Sequence, residues 1–240
     1  MSRDEFTRFL TRLRQAAADG RDLSAVSAVS AARLLHLHAL TLNLRGHSGA
    51  LELLWGTLAG DSLGSALEEL QYTLGEGPTL DAARTGETVT ETDLTTRAAA
   101  ERWPVFTAAT HGTSARAVIA TPLLLGVATA GVLTGYRITT GLFPFDQRCD
   151  LDLFARIALH LLLNTPPQAV AAGTGTGPRP YLSLHHAKVH QATGFLSSRL
   201  GIPLEDALLR LRAHAFSDNR RLVDVARDVI DERLDLHPDA

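Results

Sequence analysis

Four histidines are spaced in pairs that could bind a metal ion. His36 and His38 would point to one face of a strand, and His186 and His190 lie one helical turn apart. The first pair has neither Cys149 nor an obvious acidic residue close to it in the sequence, and the second lacks the HEXXH pattern of zinc enzymes. We therefore predict no metal site.

Nucleophilic and phosphate-binding patterns are also lacking. Cys149 is the single cysteine, which excludes an intrachain disulfide and a CxxC site. The Gly75–Pro78 segment, GEGP, has neither the GxxxxGK[ST] nor the GxGxxG spacing, so we predict a tight turn at a sheet rim. Asp81, Asp93 and Trp103 could border a ligand pocket, but a capping acid and a core tryptophan explain them equally well. We predict no catalytic residue, no cofactor and no enzyme activity.

Arginines near the C-terminus form the remaining chemical pattern, because their guanidinium groups could contact phosphates. From residue 181 onward the chain has eight Lys and Arg against nine Asp and Glu, so this region is not basic as a whole. Two interpretations stay open: nucleic-acid contact, or a solvated surface with i,i+4 pairs such as Arg227 with Asp231. The arginines near the predicted helix turns are Arg199, Arg210, Arg212, Arg220 and Arg221.

Three amphipathic helices carry these arginines. Apolar residues recur every three or four positions, which predicts one helix over 181–200, a second after Pro203 and a third from Leu222 to Leu234. Gly201 is expected to end the first helix. Gly194 is unfavourable inside it, and we expect a neighbouring helix to approach closely near Ala192 and Gly194. The sequence thus predicts a small three-helix bundle.

The small residues of this bundle resemble the signature of the ANTAR domain, a three-helix RNA-binding module of bacterial antitermination regulators. The matching positions are Ala192-x-Gly194-x-Leu196, Ala207, Leu211-Arg212, Ala215 and Val225-Ala226, within about the last 55 residues. Thr193 and Ser197 stand where family members usually have a basic residue and a methionine. The resemblance implies stem-loop RNA as partner, with contacts from Lys188, Arg199, Arg212, Arg220 and Arg221.

Upstream, the pattern predicts an α+β domain. Helices are predicted at 3–18, 22–33, 62–72, 102–111 and 146–163, and strands at 34–44, 50–58, 87–92, 116–125 and 130–138. The first strand changes phase once, as a strand with a bulge would. This order implies an antiparallel sheet flanked by helices.

Local strings within this layout resemble a GAF domain over roughly residues 20–165. They include Gln71-x-x-x-Gly75-Glu76-Gly77-Pro78-x-x-Asp81-Ala82, Arg102-Trp103-Pro104-x-Phe106 and Thr121-Pro122-Leu123. GAF domains share a fold and differ in ligand, so the resemblance implies a sensor for a small molecule without naming it. Thr79 stands where relatives often have a cysteine. GAF-type sulfoxide reductases use several cysteines, which disfavours that activity.

The composition adds the remaining expectations. We predict a GAF-like sensor domain with its N-terminal helix at 1–165, a linker at 166–180 and an ANTAR-like domain at 181–240. Residues 164–180 are rich in Gly, Pro and Thr, which fits either a short flexible connector or a helix broken by prolines. The net charge is −3, and neither a signal-peptide core nor a membrane-length apolar run is present. We therefore expect a cytoplasmic protein without membrane contact.

Together these features predict a transcription regulator that binds stem-loop RNA and promotes antitermination under control of its sensor domain. A second apolar stripe on the first bundle helix, formed by Leu184, Ala187, Gln191 and Phe195, predicts a homodimer. Two alternatives stay open: a DNA-binding regulator, and a protein-interaction module that binds no nucleic acid.

Overall fold

The computed structural model describes residues 3–46, 50–57, 63–164, 186–218 and 220–236. The helices are α1 (Arg3–Ala18), α2 (Ala28–Leu34), α3 (Leu63–Leu74), α4 (Pro78–Thr85), α5 (Arg97–Arg102), α6 (Pro104–Thr110), α7 (Phe145–Leu163), α8 (Ala187–Leu200), α9 (Leu204–Ser217) and α10 (Leu222–Ile230). The strands are β1 (Ala39–Arg45), β2 (Leu51–Gly56), β3 (Val89–Glu91), β4 (Ala117–Leu125) and β5 (Ala128–Arg137). A short 3₁₀ helix precedes α2.

A five-stranded sheet forms the centre of the N-terminal domain. Its strand order is β2-β1-β5-β4-β3, and every neighbouring pair is antiparallel. The register of β1 against β2 shifts between Leu42 and Asn43, which confirms the predicted bulge. Gly126 has a φ of 64° in the turn between β4 and β5, a conformation that glycine adopts without strain. The predicted α+β fold is confirmed.

The two faces of the sheet bury different cores. Leu40, Leu42 and Leu133 point to one face, where they pack with residues of α1, α2 and α7. The indole of Trp55 and the ring of Phe154 lie 6.1 Å apart in this layer. The opposite face is covered by α3 to α6 and buries a second apolar cluster, whose largest fully buried members are Trp103, Tyr136 and Phe106. The sheet is therefore sandwiched between two helical layers.

The C-terminal helices form a separate core. Their buried residues follow the predicted stripes and include Val189, Ala192, Leu196, Ala207, Leu211, Ala215, Leu222, Val225, Ala226 and Val229. Gly201 ends α8 with a φ of 63°, as predicted for a glycine cap. The three-helix bundle is confirmed.

Four details of the predicted elements are wrong. The strand predicted at 34–44 begins only at Ala39, because α2 continues to Leu34 and His36 adopts a left-handed φ of 55°. The helix predicted at 22–33 is divided by Ser27, whose hydroxyl caps α2. The helix predicted at 102–111 is confirmed as α6, but α5 before it was not predicted, and Pro104 separates the two because its ring can open α6 but cannot continue α5. Finally, α4 was not predicted, because its N-terminal GEGP string was interpreted only as a turn.

The close approach expected near Ala192 and Gly194 is found at Ala192 and not at Gly194. A methyl group built at Gly194 meets no atom within 4 Å, so close helix packing does not require a glycine there. The neighbouring helices pack closely two residues earlier, at Ala192, which is fully buried in the bundle core. The linker predicted at 166–180 and Leu184 of the second stripe lie outside the described residues. Within the described ranges, no helix combines the length and apolar character needed to cross a membrane.

Candidate nucleic-acid interface

The turn between α9 and α10 presents two adjacent arginines. The backbone N–H of Arg220 donates to the Ala215 carbonyl over 2.8 Å, which fixes the chain as it leaves α9. The Arg220 side chain pairs with Asp228 on α10, and hydrogen bonds from Arg220 and Arg233 lower the pKa of that carboxyl. Arg221 immediately precedes α10 and is exposed. Arg221 is therefore the freer of the two cations.

Two further predicted contacts lie on α8. Arg199 forms an ion pair with Asp235, with 2.9 Å between Nη2 and Oδ2. Its guanidinium also lies 5.9 Å from the ring of Phe195. Phe195 belongs to the second stripe predicted for dimerisation and is partly buried against the bundle core. Lys188 is exposed and has no ion pair among the described residues. Unlike Arg199 and Arg220, Lys188 and Arg221 have no ion pair with an acidic side chain among the described residues.

Arg212 differs from the other predicted contacts because it faces the N-terminal domain. Its guanidinium carbon lies 5.3 Å from the centre of the Tyr72 ring on α3. It also packs against Gly75, the residue after α3, where the partial negative charge of a helix C-terminus favours a cation. Burial lowers the pKa of Arg212. In this arrangement Tyr72 and Gly75 cover part of the Arg212 side chain.

The two histidines of the bundle complete this contact, which we call the interdomain contact: Glu52, Glu69, Tyr72, His186, His190 and Arg212. The rings of His186 and Tyr72 are stacked, with centres 3.6 Å apart and planes 12° from parallel. His190 meets the same tyrosine edge-on at 6.4 Å. Nε2 of His186 lies 2.8 Å from Oε2 of Glu69, and Nε2 of His190 lies 2.9 Å from Oε1 of Glu52. The tyrosine ring is thus held by three side chains of the bundle.

The interdomain contact leaves polar atoms unsatisfied. Tyr72 is 5% exposed, and burial raises the pKa of its hydroxyl strongly. Neither Oη of Tyr72 nor Nε of Arg212 has a hydrogen-bond partner among the described residues. Nε2 of His190 is near Glu52, but its geometry does not make a directed hydrogen bond. Because a buried polar atom without a partner is destabilising, this contact is weaker than its close packing suggests.

A buried polar cluster lies on the other side of α3, against the sheet. Glu68 Oε1 accepts hydrogen bonds from the hydroxyls of Thr41 (2.6 Å) and Tyr136 (2.7 Å). Gln71 donates to Tyr136 over 2.8 Å and to Thr79 over 2.8 Å. Burial raises the pKa of Glu68, while the bonds from Thr41 and Tyr136 oppose that shift. These groups fill the space between α3, α4 and the sheet with polar side chains.

The residues predicted to border a ligand pocket have structural partners. Asp81 accepts a hydrogen bond from Nε1 of Trp103 (3.1 Å) and forms ion pairs with Arg84 and Arg102. These side chains line an open depression beside Gly75. Asp93 lies elsewhere and accepts from the Thr95 hydroxyl and backbone, which lowers the pKa of Asp93. Asp81 thus borders a surface depression, and Asp93 acts as a turn-capping acid.

The GEGP string has a specific packing role. Gly75 has a φ of 71° after α3, and Gly77 has a φ of 138° before α4, so both glycines adopt conformations that other residues avoid. Between them, Oε1 of Glu76 accepts from the backbone N–H groups of Val105 (2.6 Å) and Phe106 (2.7 Å) at the start of α6. The string therefore joins three helices of one layer and is more than a tight turn at the sheet rim.

Among the described residues, no group of three or more His, Cys, Asp or Glu side chains is arranged to hold a metal ion. His36 and His38 both precede β1, and His36 has a left-handed φ of 55°, so the two do not share a strand face. His186 and His190 approach Glu69 and Glu52 as two separate pairs. Cys149 is exposed on α7.

The C-terminal bundle matches a known domain family. Residues 184–230 match the ANTAR domain family, over all three C-terminal helices. The C-terminal bundle is an ANTAR domain. No curated protein matches the chain.

Solved structures resemble the domain that precedes the ANTAR domain. The GAF domain of a phosphoenolpyruvate-protein phosphotransferase from Acinetobacter is 15% identical, with a TM-score of 0.50 over 67% of this chain and 94% of that one. The corresponding GAF domain from Coxiella burnetii is 14% identical, with a TM-score of 0.48 over 66% and 91%. Free methionine-R-sulfoxide reductase from Neisseria meningitidis is 19% identical, with a TM-score of 0.47 over 66% and 89%. The first of these shows that the N-terminal domain has a GAF fold.

Sequence reasoning missed the partners of the ANTAR domain within the same chain. Arg212 belongs to the quoted ANTAR string, but Tyr72 follows Gln71 of the GAF-like string and was not considered. Glu52 and Glu69 carried no pattern, because each is a single acid on an amphipathic element. Only the two histidines one turn apart gave a signal, and they meet Tyr72 instead of a metal ion.

Proposed function

We propose that this protein is a cytoplasmic transcription regulator whose ANTAR domain binds stem-loop RNA in nascent transcripts and thereby favours antitermination. The match of residues 184–230 to the ANTAR domain family carries the proposal, since the family's members act on RNA. In this proposal the chain binds RNA and regulates transcription, and we propose no catalytic role for it. The N-terminal GAF fold acts as the sensor.

The arginine geometry supports RNA as the ligand. Arg221 and Lys188 are exposed and free to approach phosphates, while Arg220 is oriented by Asp228. Arginine and lysine contacts to phosphate release counterions, so binding should weaken steeply as salt rises. RNA loops also expose unpaired bases that side chains can stack on, which duplex DNA does not offer. A bundle with few exposed cations is better suited to a folded RNA loop than to a long DNA duplex, which is recognised mainly through its phosphate charge.

Equilibrium binding separates RNA from DNA as the ligand. We would measure fluorescence anisotropy of the full chain with labelled stem-loop RNA and with duplex DNA of matched length and salt. The proposal predicts tighter binding to the stem-loop and weaker binding when Arg220 and Arg221 are both replaced by alanine. A preference for duplex DNA would support the DNA-binding alternative and contradict the antitermination proposal.

A second candidate function is protein recognition without nucleic acid. The specific observation in its favour is that Arg212 packs against Tyr72 of the GAF-fold domain. In that account the bundle's arginines serve contacts between domains or between copies of the chain. Unchanged RNA affinity in the Arg220→Ala, Arg221→Ala double variant would favour this candidate. A homodimer is part of the main proposal, and sedimentation analysis of the full chain would test it.

Control by the sensor requires two states of the chain. A ligand of the GAF-fold domain can shift the balance only if it binds one domain arrangement more tightly than the other. The interdomain contact offers such an element, because α3 carries Glu69 and Tyr72 toward the ANTAR domain and Glu68 and Gln71 toward the sheet. We propose that α3 transmits the sensor's state to the RNA-binding domain.

A further inference from the structure

Tyr72 is held in the way that RNA-binding proteins hold an unpaired base. Its ring stacks on the His186 ring at 3.6 Å and lies beneath the guanidinium of Arg212. Splayed-out bases in RNA are commonly stacked on aromatic or imidazole rings and on arginine planes. The two bundle residues come from different helices, since His186 precedes α8 and Arg212 lies on α9. Both therefore contact the same flat ring from different helices of the bundle.

The acidic residues beside Tyr72 make its surroundings resemble a nucleotide in charge as well as in shape. Glu69 lies 2.8 Å from the His186 ring nitrogen, and Glu52 lies 2.9 Å from that of His190. An aromatic ring flanked by carboxylates presents the same chemistry as a base flanked by phosphates. The GAF-fold domain thus offers the ANTAR domain both a ring and negative charge at one place.

We propose that His186 and Arg212 form a binding slot for one unpaired base of an RNA loop, and that Tyr72 occupies this slot when the two domains are docked. The inference rests on the proposed function, because it assumes that the ANTAR domain binds RNA. It adds a site for a base, and a competitor for that site within the same chain. The docked form then binds stem-loop RNA more weakly than the undocked form.

The unsatisfied atoms of the contact explain how RNA can replace the tyrosine. Among the described residues, Nε of Arg212 is a buried donor without a partner, and Oη of Tyr72 has none either. A nucleobase has ring-nitrogen and carbonyl acceptors that a phenol ring lacks at the corresponding edge. A base could therefore keep the stacking on His186 while its edge acceptors receive hydrogen bonds from Arg212, once the guanidinium moves from above the ring to its edge. Replacement of Tyr72 by a base would then leave fewer buried polar atoms without hydrogen bonds in the slot.

The first test opens the slot by removing its occupant. Stem-loop RNAs with uridine or abasic loop positions would be titrated with the full chain, using wild type, Tyr72→Ala and Phe145→Ala. Phe145 is the matched control, because it is an exposed aromatic residue of the same domain. Since an internal competitor lowers apparent affinity by its occupancy, we expect about tenfold tighter binding for Tyr72→Ala and no change for Phe145→Ala. The Tyr72→Ala, Arg212→Ala double variant should lose that gain.

A second variant reaches the same state with Tyr72 in place. Glu52→Gln with Glu69→Gln weakens both histidine contacts and leaves the slot itself intact. This variant should also bind the uridine loop more tightly than wild type. It keeps the proposal testable if Tyr72→Ala unfolds, which circular dichroism would detect.

The outcomes distinguish the slot from the wider proposal. Tighter binding of the uridine loop, but not of the abasic loop, supports the slot. Unchanged affinity in both opened variants, with weaker binding in Arg221→Ala, would overturn the slot and leave the proposed function standing. A gain that persists with the abasic loop would also overturn it, because phosphates alone would then explain the gain. Absence of stem-loop binding in every variant would overturn the proposed function itself.

Discussion

The rings of Tyr72 and His186 are parallel to within 12°, with their centres 3.6 Å apart, across the boundary between the GAF-fold domain and the ANTAR domain. This pair connects the third helix of the GAF-fold domain directly to the start of α8. A change in the position of α3 must therefore alter the surroundings of the bundle's histidine and of Arg212. The contact gives the chain a physical route by which the GAF-fold domain can act on the ANTAR domain.

The first prediction concerns the unpaired hydroxyl of Tyr72. Replacing Tyr72 with phenylalanine keeps the stacked ring and removes a buried Oη that has no partner among the described residues. We expect the free energy of unfolding to rise by about 1 kcal/mol, because an unmade hydrogen bond no longer has to be buried. Urea denaturation of the full chain would measure it.

Tyr136 supplies the matched control for this prediction. Its hydroxyl donates to Glu68 over 2.7 Å and accepts from Gln71 over 2.8 Å. Tyr136→Phe should therefore lower the free energy of unfolding by about 1–3 kcal/mol, since it breaks bonds that are made. A Tyr72→Phe variant as destabilised as Tyr136→Phe would show that the Tyr72 hydroxyl has a partner after all.

The second prediction concerns the pH dependence caused by Glu68. Burial raises the pKa of Glu68 in the folded protein above its ordinary value of 4.5. The folded chain then holds a proton that the unfolded chain has released, so stability falls as pH rises from 4.5 through the folded-state pKa. Glu68→Gln removes this titration, and its unfolding free energy should decline less across that range. Parallel profiles for the two proteins, measured by urea denaturation at several pH values, would contradict the prediction.

The sequence predicted the elements whose stabilising residues are close together in the chain. Each bundle helix has its own apolar stripe, and Leu211, Val225 and Ala226 are fully buried as those stripes require. The α4 helix was missed because its start depends on a positive φ at Gly77, which composition alone does not distinguish from a turn. The start of β1 was misplaced for a similar reason, since His36 adopts a left-handed conformation before the strand begins at Ala39.

The third prediction tests the packing of the ANTAR domain with two leucines of one helix. Leu211 is fully buried, whereas Leu209 is 63% exposed on the same helix. Leu211→Ala should lower the free energy of unfolding by about 2–5 kcal/mol, because it removes buried methyl groups and leaves a cavity. Leu209→Ala should change it by less than about 0.5 kcal/mol. Equal effects in thermal or urea unfolding would show that the packing of α9 differs from this structure.

The fourth prediction concerns the acid of the GEGP string. Glu76→Ala removes the acceptor for the backbone N–H groups of Val105 and Phe106 at the start of α6. We expect a loss of about 1–3 kcal/mol, as for a buried hydrogen bond to a charged group. Glu101→Ala is the control, because Glu101 is an exposed partner of Arg97 and such pairs contribute little. A neutral Glu76→Ala variant would argue that solvent replaces the carboxylate.

The candidate site was less predictable than the fold. The arginines were recognisable because they lie near the predicted helix turns, and Arg212 also belongs to the ANTAR string, yet neither pattern shows that Arg212 packs on Tyr72. Such a contact depends on how two domains dock, and neither hydrophobic periodicity nor local charge encodes it. The pairing of Arg199 with Asp235 and of Arg220 with Asp228 likewise requires the folded bundle.

The fifth prediction concerns the salt dependence of RNA binding. Arg221 is exposed and has no ion pair among the described residues, so it can neutralise a phosphate directly. Arg221→Ala should weaken binding to all stem-loops and reduce the slope of log affinity against log salt by about 1. Arg97→Ala, on the GAF-fold domain, should leave both quantities unchanged. A slope that is the same in wild type and Arg221→Ala would exclude Arg221 from phosphate contact.

The most direct test of the central claim is crosslinking of the full chain to RNA in its own cells, followed by sequencing of the recovered RNA. Wild type should enrich stem-loops that compete with terminator hairpins in nascent transcripts, and the Arg220→Ala, Arg221→Ala variant should recover them poorly. Recovery of no RNA above the level of that variant would contradict the claim that the ANTAR domain of this protein acts on RNA.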